Sequence, residues 1–351
     1  MGVARVVLIP AHNEGGLIAA TLRSVFAQCD ERDRVIVVAD NCTDDTVAVA
    51  LRAGAEVVET AGNAHKKAGA LNQVLDVLLE TCPDEQPILV MDADTTLQPG
   101  FLSTATGVMA SQAASAVGGI FFGQSGGGLL GLFQRNEYLR YSRQVQSSGR
   151  VWVLTGTGTV FRAGALRDVL QARRDGRLPG APAVYDTLAL TEDNELTLAL
   201  KTLGHRCLSP VGCRVETEVM PTWGRLWQQR LRWQRGALEN LRSYGWTSTT
   251  RPYVRQQLMM ALGVVMLWLY LAMTALALGA GQRLQLSPLW AVVTAVFVAE
   301  RVLTVRRGGW RSMAVAAPLF IELFYDVFVQ LVFVKASVDA LRRAEAHWGR
   351  T

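Results

Sequence analysis

Cysteine is scarce and unpatterned: five residues, at 29, 42, 82, 207 and 213, odd in number and without C-x-x-C spacing. That excludes a disulfide framework and a zinc ribbon, and it fits a reducing compartment. Charge is thin as well, at 19% of residues against 50% hydrophobic, the reverse of what a disordered chain requires. No G-x-G-x-x-G closes the first apolar run, which argues against a dinucleotide-binding oxidoreductase. No Lys-Ser/Thr follows the glycine-rich stretch 123–131, which reads as a flexible connector. Internal repeats are absent, and the run 6–10 is too short for a signal peptide's apolar core. The net charge of +5 points to nucleic acid only until it is located. Residues 1–250 hold 24 Lys/Arg against 25 Asp/Glu, while 251–351 hold 11 against 5. The basic excess sits in an apolar tail, where it reads as membrane flanking, and no nucleic-acid partner is expected.

The 351 residues divide accordingly into a region 1–250 and a membrane region 251–351. From 258 to 281 runs a stretch with no charged side chain, long enough for a hydrocarbon core of about 30 Å. Two further apolar segments, 286–305 and 313–334, carry Glu300 and Arg301, and Glu322 and Asp326. About three transmembrane helices follow, with the lipid bilayer as partner, at the cell (inner or plasma) membrane. Residues 1–250 and the loop Arg306–Arg311 are then cytosolic, as the positive-inside rule prefers. Three spans would set the basic tail (Lys335, Arg342, Arg343, Arg350) outside, against that rule, unless one segment is re-entrant or interfacial. Glu322, Asp326 and Gln330 recur every four residues on one face; pairing with Arg301 is the plainer account of the carboxylates beside a functional one.

The first region alternates: strands at 4–9, 34–39, 56–59 and 88–91, helices at 16–28, 43–53 and 67–80. This spacing predicts an α/β fold with a mostly parallel sheet covered on both faces. Ligands bind such sheets at the carboxyl ends of the strands, and the polar clusters fall there. The first strand ends in Pro-Ala-His-Asn-Glu (10–14). The second ends in Ala39-Asp40-Asn41-Cys42-Thr43-Asp44. Asp40 reads as ligand-facing, and Thr43 and Asp44 as helix caps. The fourth ends in Met91-Asp92-Ala93-Asp94, two carboxylates at i, i+2 that suit Mg²⁺ or Mn²⁺ together with phosphate oxygens. A helix over 223–244, wound at about 100° per residue, puts Trp223, Trp227, Leu231, Leu238 and Leu241 on one stripe. Gln229, Arg232 and Trp233 fall on another face. The stripe suits a membrane surface, with ordinary core packing as the alternative.

The succession PAHNE, ADNCTDDT, HKKAGALN, MDAD, TED and QQRLRW resembles the family 2 inverting glycosyltransferases, and within them the membrane-embedded branch of cellulose, chitin and hyaluronan synthases. The resemblance implies a Rossmann-like GT-A fold, a nucleotide-diphosphate sugar donor (a UDP-sugar) and a divalent metal. It implies that Ala11 and Glu14 line the nucleoside pocket, that Asp40 reads the base, and that Lys67 contacts the diphosphate. Asp92 would lie near the donor, and Asp94, with Asp92, at the metal. Asp193 of Thr191-Glu192-Asp193 would be the general base. Gln229 and Arg232 would serve the donor, Arg232 also the departing phosphate, and Trp233, Glu192 and Thr157 the acceptor.

The chemistry accords with these residue types. Inversion is a single displacement at the anomeric carbon, so one carboxylate takes the acceptor's proton while cations meet the charge growing on the leaving phosphate. Asp193 also has a structural reading, since Thr191–Glu195 is a good acidic helix start. Departures from the family pattern are a single carboxylate at Ala39-Asp40, His12 in the first motif, no N-terminal span and no clear gating loop. They bear on processive extrusion more than on sugar transfer. Three spans line a polymer channel poorly unless the chain forms a homo-oligomer. The leading reading is a membrane-bound glycan synthase. The others are single transfers to a lipid-carrier, glycolipid or protein acceptor, and an inert nucleotide-sugar-binding scaffold.

Overall fold

Neighbouring residues of the first strand enter opposite cores. Val6 and Leu8 of β1 (Val6–Ala11) join one apolar cluster, while Val7 and Ile9 join the other. The period of two in a pleated strand makes this split, and burial on both faces requires the strand to be apolar throughout. The computed structural model describes residues 3–281 and 287–342. After β1 come α1 (Ile18–Phe26), β2 (Arg34–Ala39), α2 (Thr46–Arg52), β3 (Glu56–Glu59), α3 (Lys66–Thr81) and β4 (Pro87–Val90). Each coincides with an expected element, its ends displaced by at most three residues.

Next are β5 (Thr96–Leu97), α4 (Phe101–Gln112), β6 (Ala116–Gly118), β7 (Ile120–Gly123) and α5 (Gly128–Ser148). They are followed by β8 (Thr159–Arg162), α6 (Ala163–Arg174), α7 (Glu192–Thr202), β9 (Cys207–Leu208) and β10 (Arg214–Thr217). Five helices end the chain: α8 (Trp223–Tyr244), α9 (Arg251–Gly279), α10 (Pro288–Val305), α11 (Gly309–Ala316) and α12 (Leu319–Arg342). The main sheet runs β3-β2-β1-β4-β8-β6-β9, and a second runs β5-β10-β7. β1 pairs in parallel with β2 and β4, while β8 lies antiparallel between β4 and β6. The chain leaves β1 for β2 and β3, then returns across it to β4. The carboxyl end of β1 is therefore the switch point where such sheets open a crevice. Helices α3, α6 and α7 cover one face, and α1 and α4 the other.

Three expectations need correction or refinement. The stretch 123–131 is no flexible connector: Gly123 ends β7 and α5 begins at Gly128. Its buried face mixes Leu130, Phe133 and Tyr138 with Gln134, Asn136 and Ser142, so no apolar period announced it. The tryptophan stripe of α8 has a protein partner, because α12 lies along it. Trp223 meets Phe328 edge-on with centroids 4.9 Å apart, and Trp227 meets the same ring at 5.7 Å; α12 covers part of the stripe, and Trp223 stays 37% exposed. The segment 313–334 is interrupted between α11 and α12, where Pro318 lies. Glu322 does pair with Arg301, at 2.8 Å, and also with Arg140 of α5 at 2.5 Å. Asn136 donates to its other oxygen at 3.1 Å, and Asp326 pairs with Arg301. Arg343 and Arg350 lie outside the described residues.

Two described stretches, Arg251–Gly279 and Pro288–Ala316, are long and apolar enough to cross a membrane, with mean hydropathy 2.2 and 1.6. Leu258, Leu262, Leu276, Trp290 and Phe297 stand exposed along them. Bare apolar surface on this scale marks a surface for a membrane or another protein.

A buried ion pair ties the helices behind the sheet. Arg173 of α6 pairs with Glu195 of α7, and Tyr244 of α8 donates to the same carboxylate at 2.6 Å. Removing the acid would strand a buried guanidinium. Glu195→Ala should therefore cost about 3–5 kcal/mol, and Tyr244→Phe about 1.5–3 kcal/mol, read as lowered melting temperatures of the purified chain. Unchanged melting in both would mean that other contacts hold α7 to α8.

Candidate active site

Backbone strain gathers at the strand ends. Asn13, Asn41 and Lys66 have φ of 58°, 50° and 51°, in the left-handed region that non-glycine residues seldom visit. Asparagine tolerates it because its short amide can bond locally. Asn13 Oδ1 accepts from the Thr43 and Asp44 amides at 2.7 and 3.3 Å, lacing the first strand end to the second. Asp44 does serve the start of α2, accepting from the Thr46 amide at 3.0 Å, whereas Thr43 turns to Asn13. Asp40 is buried, with Oδ1 receiving Thr60 at 2.8 Å, Asn63 at 2.8 Å and Asn41 at 3.0 Å. No donor among the described residues reaches Oδ2. Ala11 is buried beside it at the end of β1.

The fourth strand end supplies the acids. Burial, followed by Asp92, pushes Asp94 up to about 6. Burial and the charges of Asp94 and Glu218 likewise push Glu14 up to about 7, so the first strand end faces the fourth. Glu218, just past β10, carries no recognisable sequence signal. Among the described residues no group of three or more His, Cys, Asp or Glu could hold a metal. Asp92 and Asp94 still fit a divalent ion that takes its other ligands from phosphate, as Mg²⁺ commonly does. The crowding that raises Asp94 is what such an ion relieves.

Lys67, at the start of α3, joins the acids after β4 to those at the start of α7. Its Nζ lies 2.5 Å from Asp92 and 3.1 Å from Glu192. Burial alone would depress it, but Asp92, Glu192 and Asp193 outweigh that and hold the ammonium well above its usual range. Glu192 falls below the ordinary range for the reciprocal reason: burial would raise it and Lys67 overcomes that. Asp193 is pushed up to about 6 by burial and Glu192, while Lys67 and two backbone amides pull the other way. Those amides belong to Gly156, 3.0 Å from Oδ2, and Asn194, 2.7 Å from Oδ1. A Cβ at Gly156 would lie 2.6 Å from Lys67 Nζ, so a side chain there would push the ammonium from its place in the cluster. Thr157 shares a hydroxyl contact of 2.8 Å with Thr155 in the same loop.

Helix α8 closes the far side. A Cβ at Gly236 would lie 2.4 Å from Thr191 Oγ1, and Asn240 donates to Asn194 at 2.9 Å, which sets the first turn of α7 against α8. Arg232 lies close enough for its charge to lower both Glu192 and Lys66. Gln229 is buried and accepts from Arg230 at 2.7 Å. The Arg230 guanidinium lies 4.4 Å from the centre of the Trp233 ring. Arg230, Glu218 and the Gly156 amide were not singled out by sequence reasoning; their roles depend on which side chains the fold brings near.

The profile of the family described as glycosyltransferase like family 2 matches residues 5–236. The chain is 26% identical over 284 residues to poly-beta-1,6-N-acetyl-D-glucosamine synthase of Staphylococcus aureus, covering 76% of this chain and 62% of that protein. It thus spans about three fifths of the length of the first curated relatives it matches. It is 32% identical over 244 residues to the probable glycosyltransferase YdaM of Bacillus subtilis, covering 66% of this chain and 54% of that one. Among solved structures, a mannosyltransferase from Pyrobaculum calidifontis, in complex with GDP-Man and Mn²⁺, superposes with a TM-score of 0.57 at 18% identity. That match covers 98% of this chain and 89% of the other, and it speaks to the fold. The chain belongs to glycosyltransferase family 2, with a GT-A domain followed by C-terminal helices, two of which are candidate membrane spans.

Proposed function

We propose that this chain is a membrane-bound inverting glycosyltransferase that moves a sugar from a UDP-sugar to a hydroxyl of a glycan acceptor. The observation that carries the reading is Asp193. Its carboxylate is held by two backbone amides, is raised to about 6, and stands beside a permanently charged Lys67. At pH 7 it is ionised yet more basic than an ordinary aspartate, which suits a general base. The name of the staphylococcal relative makes UDP-N-acetylglucosamine the first donor to try.

In the reaction Asp193 accepts the proton of the acceptor hydroxyl as that oxygen attacks the anomeric carbon. The bond to the diphosphate breaks on the opposite face, which inverts the centre. Negative charge then grows on the leaving phosphate, where Lys67 and Arg232 stand as fixed cations. Lys67 is held in place by Asp92 and Glu192, so this cation is positioned before the diphosphate arrives. Ala11, Glu14, Asp40 and Gln229 shape the donor pocket. Thr157, Glu192 and Trp233 make up the acceptor side, although Glu192 is paired with Lys67 in this state. A Mg²⁺ or Mn²⁺ ion held by Asp94 and Asp92 would supply Lewis-acid stabilisation of the diphosphate.

Orientation follows from charge. Arg251 and Arg255 open α9, while Arg306, Arg307 and Arg311 follow α10. A hairpin of two spans returns both groups to one side, and the positive-inside rule makes that side, with the GT-A domain, cytosolic. Only two described helices are candidates for spanning. A second reading is addition of one or a few sugars to a lipid-linked, glycolipid or protein acceptor in place of a long polymer. Radiolabelled transfer in membranes with product sizing tests both: long product supports a synthase, single additions the second reading, and no transfer defeats both.

Three outcomes are expected. Asp193→Asn should lower transfer by about 10²–10⁴-fold with donor affinity retained. Because folding raises this carboxyl's pKa, its ionised form costs stability at pH 7, so the variant should melt no lower than the parent. Transfer kept within a few-fold would remove Asp193 from the mechanism. The acid limb of kcat/KM should sit at about 6, above an ordinary aspartate, with the rate falling as pH drops and Asp193 takes up a proton. A profile flat down to pH of about 4.5 would contradict a raised base. Chelation should abolish activity, and Asp94→Ala should weaken UDP binding by titration; full turnover in excess chelator would rule the metal out.

A further inference from the structure

A single oxygen of Glu137, on α5, joins the last helix of the chain to the acceptor face of α8. Glu137 Oε2 accepts the Tyr325 hydroxyl of α12 at 2.5 Å and the Arg230 Nη2 of α8 at 2.9 Å. Arg230 is buried, at 2% exposure, and its other arm donates to Gln229 Oε1 at 2.7 Å. Its guanidinium plane lies over two rings, 4.4 Å from Trp233 and 5.6 Å from Tyr138. Tyr325 is equally constrained, stacked on Phe133 of α5 with ring centroids 5.2 Å apart. Tyr325, Glu137 and Arg230 are thus each held from at least two directions, and Trp233 lies against the last of them.

A guanidinium bonded on two arms has little freedom left, and a ring lying against it is fixed in tilt and depth. We propose that Arg230, held by Glu137 and the Tyr325 hydroxyl, is a positioning residue that sets the Trp233 ring for the acceptor sugar, so that acceptor affinity depends on α12. The inference rests on Trp233 being the acceptor platform. Arg230 touches neither donor nor reacting atoms and acts through the ring it supports. The consequence is graded: loosening the relay should be felt by the acceptor far more than by the donor, because Asp193, Lys67 and Asp94 lie on other elements and Gln229, bonded to the other arm of Arg230, is its one link to the donor side.

The test uses the full chain in lipid nanodiscs, with UDP-N-acetylglucosamine as donor and a short β-1,6-linked N-acetylglucosamine oligosaccharide as acceptor. Tyr325→Phe removes one hydrogen bond at nearly constant volume, and Glu137→Gln removes the charge that Arg230 meets. Each should raise acceptor KM about tenfold, the worth of one charge-assisted hydrogen bond. Donor KM and donor hydrolysis without acceptor should stay within about twofold, well under that tenfold effect. Trp233→Phe should also raise acceptor KM, and adding Tyr325→Phe to it should raise it little further, because both act through one ring. Acceptor KM unchanged in Tyr325→Phe and Glu137→Gln would overturn the relay, as would full additivity with Trp233→Phe. If Trp233→Phe alone leaves acceptor KM unchanged, the platform reading fails and takes the relay with it. A parallel loss of donor hydrolysis in Tyr325→Phe would mean a general structural role and also overturn the proposal.

Discussion

The contact of Lys67 with its carboxylates organises the site, because it joins three elements distant in sequence. Asp92 comes from the end of β4, Glu192 from the start of α7, and Lys67 itself from the start of α3. A buried ammonium with one partner would be a poor arrangement, since desolvation exceeds what one pair returns. With Asp92, Glu192 and Asp193 around it, the charge is held firmly and the acids share the benefit unequally. Glu192, which bonds Lys67, stays ionised, and Asp193, which instead receives backbone amides, is left more basic. Two adjacent acids therefore take different roles by environment, as pairs of titratable groups commonly do at active sites.

The sheet explains why these groups meet. β1 lies between β2 and β4, all three parallel, so three carboxyl ends open on one edge. The loops leaving that edge must turn sharply, and Asn13, Asn41 and Lys66 absorb the turn in left-handed backbone. The residue beside Asp193 absorbs a different constraint. Gly156 lets the loop before β8 come within contact of Lys67, and any side chain there would have to displace the ammonium.

Helix α8 connects this edge to the C-terminal helices. Gly236 and Asn240 receive the first turn of α7, Arg232 faces Glu192, and Trp223 with Trp227 rests on α12. α5 strengthens the same junction with Glu137, Arg140 and Asn136, which reach Tyr325 and Glu322 of α12. Buried polar groups satisfied in this way fix one arrangement of helices where apolar packing would tolerate several.

Much of this was legible in the sequence. The two-sided apolar strands declared a covered parallel sheet, the polar strand ends declared the crevice, and the spacing of Glu322 and Asp326 against Arg301 declared an ion pair. These are local or periodic features, which a chain carries whatever its surroundings. Other features depended on what folding places side by side. α5 escaped notice because its buried face is as polar as it is apolar, and the tryptophans of α8 could not reveal whether lipid or α12 would cover them. Glu192 could not be known to pair with Lys67, nor Arg230 to support Trp233, because both contacts join residues far apart in the chain or hidden by a neighbour's burial. Sequence alone determined most of the acids and cations gathered at the strand ends, with Glu218 and Arg230 the exceptions. Tertiary structure decided which of them stay charged and which become basic, because desolvation and pairing are properties of the packed neighbourhood.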